Sequence, residues 1–315
     1  METISKTETK SARPAWMALV AQYHKPHLGK SIWQVASTFT GYFVLWYVML
    51  LSLEVSYWLT WFLALPTALF FVRIFALQHD CGHLSLFKSS KLNTRIGILC
   101  SLFTLVPFHY WKRKHALHHA SAGHMDHRGV GDIYTMTVKE YLDKPLWDRI
   151  VYRVYRHPFI LFLSGPIFVF IIGFRYDFDL PKSWKRERLS LRWTNITLML
   201  LIIALMWVFG WKEFLMVQLP ITYIATCIGS WFFFIQHNYE DAYWAQKEDW
   251  DYTVAALKGS SYYKLPKILQ WFTASVGFHH IHHLSPKIPN YLLEKCHKEN
   301  PIFQTPVTLT LLTGF

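Results

Sequence analysis

Four stretches of the chain stay apolar for about the length a helix needs to cross a bilayer, ~20 residues. They cover residues 32–52, 55–77, 194–210 and 213–235. A short connection containing Glu54 separates the first two, and Trp211 and Lys212 separate the last two, so each pair predicts an antiparallel helical hairpin. Two further apolar stretches fall short: residues 95–108 are too few to cross, and residues 158–174 are broken by Ser164, Gly165 and Pro166. The polar positions around these runs concentrate histidine. His79 and His83 follow the second run, His115, His118 and His119 lie mid-chain, and His237, His279, His282 and His283 follow the fourth. If these side chains form one site, they lie on one side of the membrane and an even number of crossings separates them. Neither residues 95–108 nor residues 158–174 can then cross. The pattern predicts an all-α integral membrane protein with four transmembrane helices in two hairpins, re-entrant or interfacial helices, and a helical His-rich cap. Residues 1–31 read as an N-terminal arm and residues 32–315 as one membrane domain.

Composition agrees with that reading. The chain is 52% hydrophobic and only 17% charged, below the ~25% of soluble domains. Its 15 tryptophans suit rings that anchor at a membrane interface. The net charge of +12 fits basic cytoplasmic flanks better than nucleic-acid binding. Lys6, Lys10, Arg13, Lys25 and Lys30, together with Lys182, Lys185, Arg186, Arg188 and Arg192, fall on the histidine side. The two opposite loops are short and nearly uncharged. The positive-inside rule therefore predicts a cytoplasmic site, expected in a bacterial inner membrane, whose basic face would attract an acidic redox partner. Cys81, Cys100, Cys227 and Cys296 have no CxxC spacing and predict no disulfide framework. Residues 1–30 are polar and basic, without the apolar core of a secretory signal.

The histidines carry the candidate chemistry. His79 and His83 form an HxxxH, whose members share a helix face. With 17 histidines in 315 residues, chance alone yields roughly one such pair, so it needs context. His115, His118 and His119 form an HxxHH, and so do His279, His282 and His283. Chance yields roughly 0.05 of that motif per chain, so two copies beside membrane spans outweigh a solvated His-rich face or a pH switch. Eight box histidines exceed what one transition metal takes, which predicts two metals with four or five imidazoles each. Zinc, copper and iron all accept imidazole. His237 stands at the end of the fourth run and would close the site as a ninth ligand. His280 turns ~100° away from His279 on a helix and reads as a non-ligand. His109, His124 and His127 read as loop histidines facing lipid headgroups or solvent. Asp80, Asp126, Asp132, Glu240 and Asp241 are near enough in sequence to accept a ligand's second N–H. Arg73, inside the second run, implies either a polar functional environment or a side chain snorkelling to the interface.

These residues resemble the membrane fatty acid desaturase family, whose pattern is HxxxH, HxxHH and a final (H/Q)xxHH. The stretches "HDCGHLSLF", "HALHHASAGHMDHRGVGDIYTMTVKEY", "IQHNYEDAYW" and "HHIHHLSPKIPNY" are similar to the acyl-lipid omega-6 (Δ12) branch, in order, over residues 75–305. His124 and His127 stand where relatives carry Asn and Arg. The resemblance implies two non-haem irons that activate O2, with His79, His83, His115, His118, His119, His237, His279, His282 and His283 as ligands. It implies a cis double bond introduced into a lipid-linked, monounsaturated acyl chain. Removing hydrogen from an unactivated CH2–CH2 needs a redox metal, which zinc is not. Two reducing equivalents must come from outside, and no cytochrome b5-like or flavin-binding segment is visible in this chain. A ferredoxin-like or cytochrome-type donor is implied. The acyl chain is expected in an apolar tunnel lined by the span ends. The same histidines would also serve a hydroxylase, ketolase, acetylenase or carotenoid-type oxygenase. A zinc-dependent membrane hydrolase or receptor-like protein is the reading from a different class.

Overall fold

A computed structural model describes residues 14–129 and 132–314; Lys6, Lys10 and Arg13 of the N-terminal arm lie outside them. In chain order the helices are α1 (Ala15–Ala21), α2 (Leu28–Ser52), α3 (Tyr57–His83), α4 (Ser90–Thr104), α5 (Phe108–Ser121), α6 (Val138–Leu142) and α7 (Leu146–Arg156). Then come α8 (Lys185–Phe209), α9 (Trp211–His237), α10 (Tyr252–Lys258), strand β1 (Tyr262–Lys264), α11 (Lys267–Phe272), α12 (His279–Leu284), α13 (Asn290–Glu299) and strand β2 (Thr308–Thr310). The two short strands pair in parallel, Tyr262 opposite Thr308.

Among the described residues, helices α2, α3, α8 and α9 are the four single helices long and apolar enough to cross a membrane. They match the four apolar runs but extend past them at the histidine ends. α3 continues through Gln78–His83 and α9 through Gln236 and His237, because there protein rather than lipid surrounds the polar residues. Pro66 and Pro220 sit inside the two central helices without ending them. α3 and α9 pack together at the centre, with Ala68, Phe71 and Ile74 in one core with Val217, Ile221 and Ala225. The small residues allow the close backbone approach that helix association in lipid relies on. Polar groups facing this core are paired. Gln218 Oε1 accepts from Tyr42 Oη and Trp46 Nε1, each at 3.1 Å. Outward-facing Trp58, Phe62, Met199 and Trp207 stay exposed and form an apolar belt for lipid to cover.

Arg73 does not snorkel. It is 1% exposed, and its Nε donates to Thr38 Oγ1 at 3.0 Å. One terminal nitrogen donates to the Trp271 carbonyl, and the guanidinium lies 3.9 Å from the Trp271 ring centroid. The charge is neutralised by dipoles and a π face, and it ties α2, α3 and α11 into one unit.

The end of α3 is fixed by its backbone. Leu84 takes a left-handed φ of 59°, and Ser85 N donates back to Asp80 O at 3.0 Å. A leucine in that region costs ~1–2 kcal/mol, and the turn stops the helix one residue after His83. α4 then runs back along α3, and the chain reverses at Leu105 into α5. A Cβ at Gly97 would lie 2.1 Å from the Phe108 ring, so the reversal is packed tightly, and the 15-residue α4 is not among the helices long enough to cross. Residues 158–174 correct the expectation of a break at Ser164–Pro166: Gly165 and Pro166 keep right-handed helical backbone, and the chain bends earlier, between Arg156 and Ile160. They form two π-helical stretches, Ile160–Ser164 and Ile167–Ile172, bent 58° from α7. By length and composition α7 plus this segment could make a fifth span. The C-terminal ends of α3 and α9 meet, however, and an extra crossing between them would put those ends on opposite sides.

The rest of the chain caps the histidine end. Phe278, Ile281, Leu284 and Ile288 form its core together with Val20 and Tyr23 of the N-terminal segment. Tyr23 Oη donates to Glu299 at 2.7 Å and Trp16 Nε1 to Thr253 Oγ1 at 3.2 Å, so α1 straps the cap.

Candidate metal centre

Each sequence motif sits on the helical element its spacing predicts. His79 and His83 occupy the last turns of α3, His115, His118 and His119 lie on α5, His279, His282 and His283 lie on α12, and His237 is the last residue of α9. All nine rings converge, in two groups. His79, His83, His115, His119 and His282 form the first; His118, His237, His279 and His283 form the second. Within each group the candidate ligand atoms all lie within 4.8 Å of one another. The two HxxHH motifs are divided between the groups. The i, i+4 pair His115/His119 joins the first group while His118 turns to the second. On α12 the pair His279/His283 joins the second and His282 turns to the first. α3 feeds the first group alone and α9 the second alone.

The Nε2 atoms face one another: His119 to His115 and to His282 at 3.0 Å, His237 to His118 at 3.2 Å and to His279 at 2.9 Å. A neutral imidazole carries one N–H, so several nitrogens pointing inward cannot all satisfy each other. The Nε2 atoms of His83 and His283 are buried without a partner. Burial, reinforced by neighbouring rings, holds His115, His119, His279, His282 and His283 well below the ordinary imidazole value, leaving lone pairs free. Convergent, neutral, under-satisfied imidazoles fit a cation in each group.

Some second nitrogens are held from behind. His118 Nδ1 pairs with Asp132 Oδ1, and His237 Nδ1 donates to the Gly259 carbonyl at 3.0 Å. Asp80 Oδ1 lies 3.5 Å from His79 Nδ1, while its Oδ2 accepts from the Asn290 backbone N and Nδ2 at 3.0 and 2.9 Å. Of the five acids the sequence nominates, Asp80 and Asp132 therefore reach a histidine of the two groups. Asp126 lies beside His124 instead, 4.0 Å from its Nδ1. Glu240 and Asp241 are exposed after α9, too far along the turn to fold back. Sequence reasoning misses the Gly259 carbonyl, which no side-chain pattern marks. It also misses Trp111, which stacks on His115 at 4.5 Å and could have been found from its i, i+4 spacing.

The remaining histidines stay outside. His280 Nε2 hydrogen-bonds to the Phe303 carbonyl at 2.9 Å, and burial pushes its pKa down to about 3. His280→Ala is expected to lower the thermal midpoint, by the ~1–3 kcal/mol of an orphaned carbonyl, with unchanged metal content per folded chain. Elemental analysis beside a melting curve checks this. His109 is half-buried beside Arg186, and His127 is exposed. His124 corrects the expectation of a solvent- or headgroup-facing ring: it is 7% exposed, packed between His127 and Trp250. Trp250 pins that loop by donating to the Ala122 carbonyl at 3.0 Å.

A cavity of about 480 Å³ opens on the histidines, touching His79, His115, His279 and His282. That volume falls in the ~300–1,000 Å³ range of ligand sites. α3 contributes Phe71 and Phe75, and α9 contributes Gly229 and Phe233. The expected tunnel walls from span ends are thus present. The π-helical segment adds a wall the sequence does not announce, with Ile160, Pro166 and Phe170. Lys114, Asp132 and Tyr155 add polar groups to the cavity's lining, and so do Thr226, Ser230 and Gln236 of α9.

The family model described as Fatty acid desaturase matches residues 56–305. A fatty acid desaturase of Bacillus subtilis is 44% identical over 295 residues, covering 94% of this chain and 83% of that protein. An sn-1 oleoyl-lipid 12-desaturase of Picosynechococcus sp. is 26% identical over 245 residues, 75% of this chain and 69% of that protein. An sn-1 acyl-lipid omega-3 desaturase (ferredoxin) of Nostoc sp. is 28% identical over 234 residues, 71% of this chain and 62% of that protein.

Proposed function

The chain belongs to the fatty acid desaturase family, and from that premise we propose that it introduces a cis double bond into a lipid-linked acyl chain. The carrying observation is a pair of adjacent all-histidine groups opening on an apolar cavity. The nine histidines are assigned as ligands of two non-haem irons. When bound, such a pair supplies the redox chemistry that activates O2. The protein's own residues supply position and shelter. The nine imidazoles would hold the metals, Asp132, Asp80 and the Gly259 carbonyl orient three of the rings, and the largely apolar cavity would receive the chain to be oxidised. Each turnover removes two hydrogens from the chain and reduces one O2 to two waters, so two electrons and two protons enter from outside. A ferredoxin-like or cytochrome-type protein is the proposed donor, in keeping with the ferredoxin in the Nostoc relative's name. The metals are proposed to face the cytoplasm from a multi-pass protein of a bacterial inner membrane, on the charge distribution of the loops.

The finer proposal is an omega-6 (Δ12) bond on a monounsaturated chain, supported by the motif stretches and by the oleoyl-lipid relative. Expression in a host that makes only saturated and monounsaturated lipids, followed by mapping of new double bonds by mass spectrometry, tests both levels. A diunsaturated product with the omega-6 bond is expected. A new bond elsewhere overturns the omega-6 position and leaves desaturation standing. Unchanged lipids beside folded, iron-loaded protein and a competent donor overturn the function itself.

A further inference from the structure

Three glycines, in α2, α3 and α4, are explained by packing. A Cβ at Gly41 would lie 2.3 Å from the Phe70 ring, one at Gly82 2.9 Å from Trp111, and one at Gly97 2.1 Å from Phe108. Gly229, inside α9, is different: a Cβ there meets no atom within 4 Å. Glycine is among the least favourable residues for a helix interior, and no close backbone or ring asks for it here. What lies beside Gly229 is the cavity that opens on the histidines.

Its depth follows from helix geometry. Gly229 precedes His237 by eight residues, ~12 Å of helix rise. Phe71 precedes His79 by the same count, so it stands at about the same depth on α3. Ala225 and Thr226 line the cavity still deeper. At the level of Gly229 the passage therefore has a bulky aromatic on one wall and no side chain on the other. Lys114 and Asp132 bring charge to the lining and suit the ester end of a lipid acyl chain, so its methyl end points along α9 toward Gly229.

We propose that Gly229 sets how much of the acyl chain fits beyond the metals, and thereby which chain lengths are accepted. This rests on the desaturase reading above. The test is a graded series, Gly229→Ala, Gly229→Leu and Gly229→Trp, expressed in a host whose lipids carry both fourteen- and eighteen-carbon chains. Conversion of the longer chain relative to the shorter is expected to fall in order of side-chain size, by at least tenfold in Gly229→Trp. Acyl chains that co-purify with each protein should shorten in the same order. An unchanged ratio, or an equal fall for both chain lengths, overturns the inference while wild-type desaturation keeps the family reading intact. Co-purifying chains that shorten in a protein whose wild type forms no double bond would instead leave the cavity assignment standing and remove the desaturase reading. Should Gly229→Trp fail to accumulate, Gly229→Leu carries the same comparison.

Discussion

His118→Ala is expected to abolish desaturation and to strip metal from the second histidine group. His118 is 1% exposed and lies 3.2 Å from His237 Nε2, with His283 on its other side at a ring separation of 4.9 Å. Its loss leaves three imidazoles in that group. It also leaves the Asp132 carboxylate buried with no partner, since Asp132 Oδ2 already has none. An unpaired buried carboxylate favours a rearranged loop over a preformed site. Removing an outer hydrogen-bond partner costs a metal site ~10–100-fold; removing the ligand itself should exceed the upper figure. Purified protein should carry about half the wild-type metal, and lipid analysis should find no new double bond. Full conversion by His118→Ala would falsify the assignment of His118 as a ligand.

Asp132→Asn tests the support behind that ligand. The carboxylate accepts from His118 Nδ1, which presents Nε2 to the group's interior. Asparagine keeps an acceptor oxygen of similar shape and removes the charge that makes the imidazole a stronger donor to a cation. Metal affinity is expected to fall ~10–100-fold, read by competition with a chelator, with conversion falling in parallel. Asp126→Asn provides the comparison, because Asp126 is exposed beside His124 and touches neither group. Equal affinities for the two variants would remove Asp132 from the site.

Much of this was legible because membranes and helices impose long-range order on sequence. The four spans follow from apolar length alone, and the boxes from i, i+3, i+4 spacing. Helix ends were less legible: Gln78–His83 are polar, and only the cap above them explains why α3 continues. The partition of His115 and His119 from His118 depends on how α5 crosses α12, which no local pattern encodes. His237 gained weight from the family resemblance, since a single histidine at a span end is otherwise unremarkable. Arg73 could not be placed, because its partners Thr38 and Trp271 lie far away in sequence. Ser164, Gly165 and Pro166 read as a break, yet helical backbone continues through them, and their segment's use as a cavity wall is not written in the local sequence.

The sharing of each HxxHH between the two groups bears on mechanical tolerance. In α5 and α12 alike, one helical turn carries histidines of both groups, so the gap between the groups is measured along stiff backbone. α3 and α9, embedded in a bilayer that thickens, thins and breathes, each grip one end of that gauge. Tilting of the spans with the lipid can then leave the spacing between the two histidine groups to two short helices, the spacing on which the proposed two-metal reaction depends.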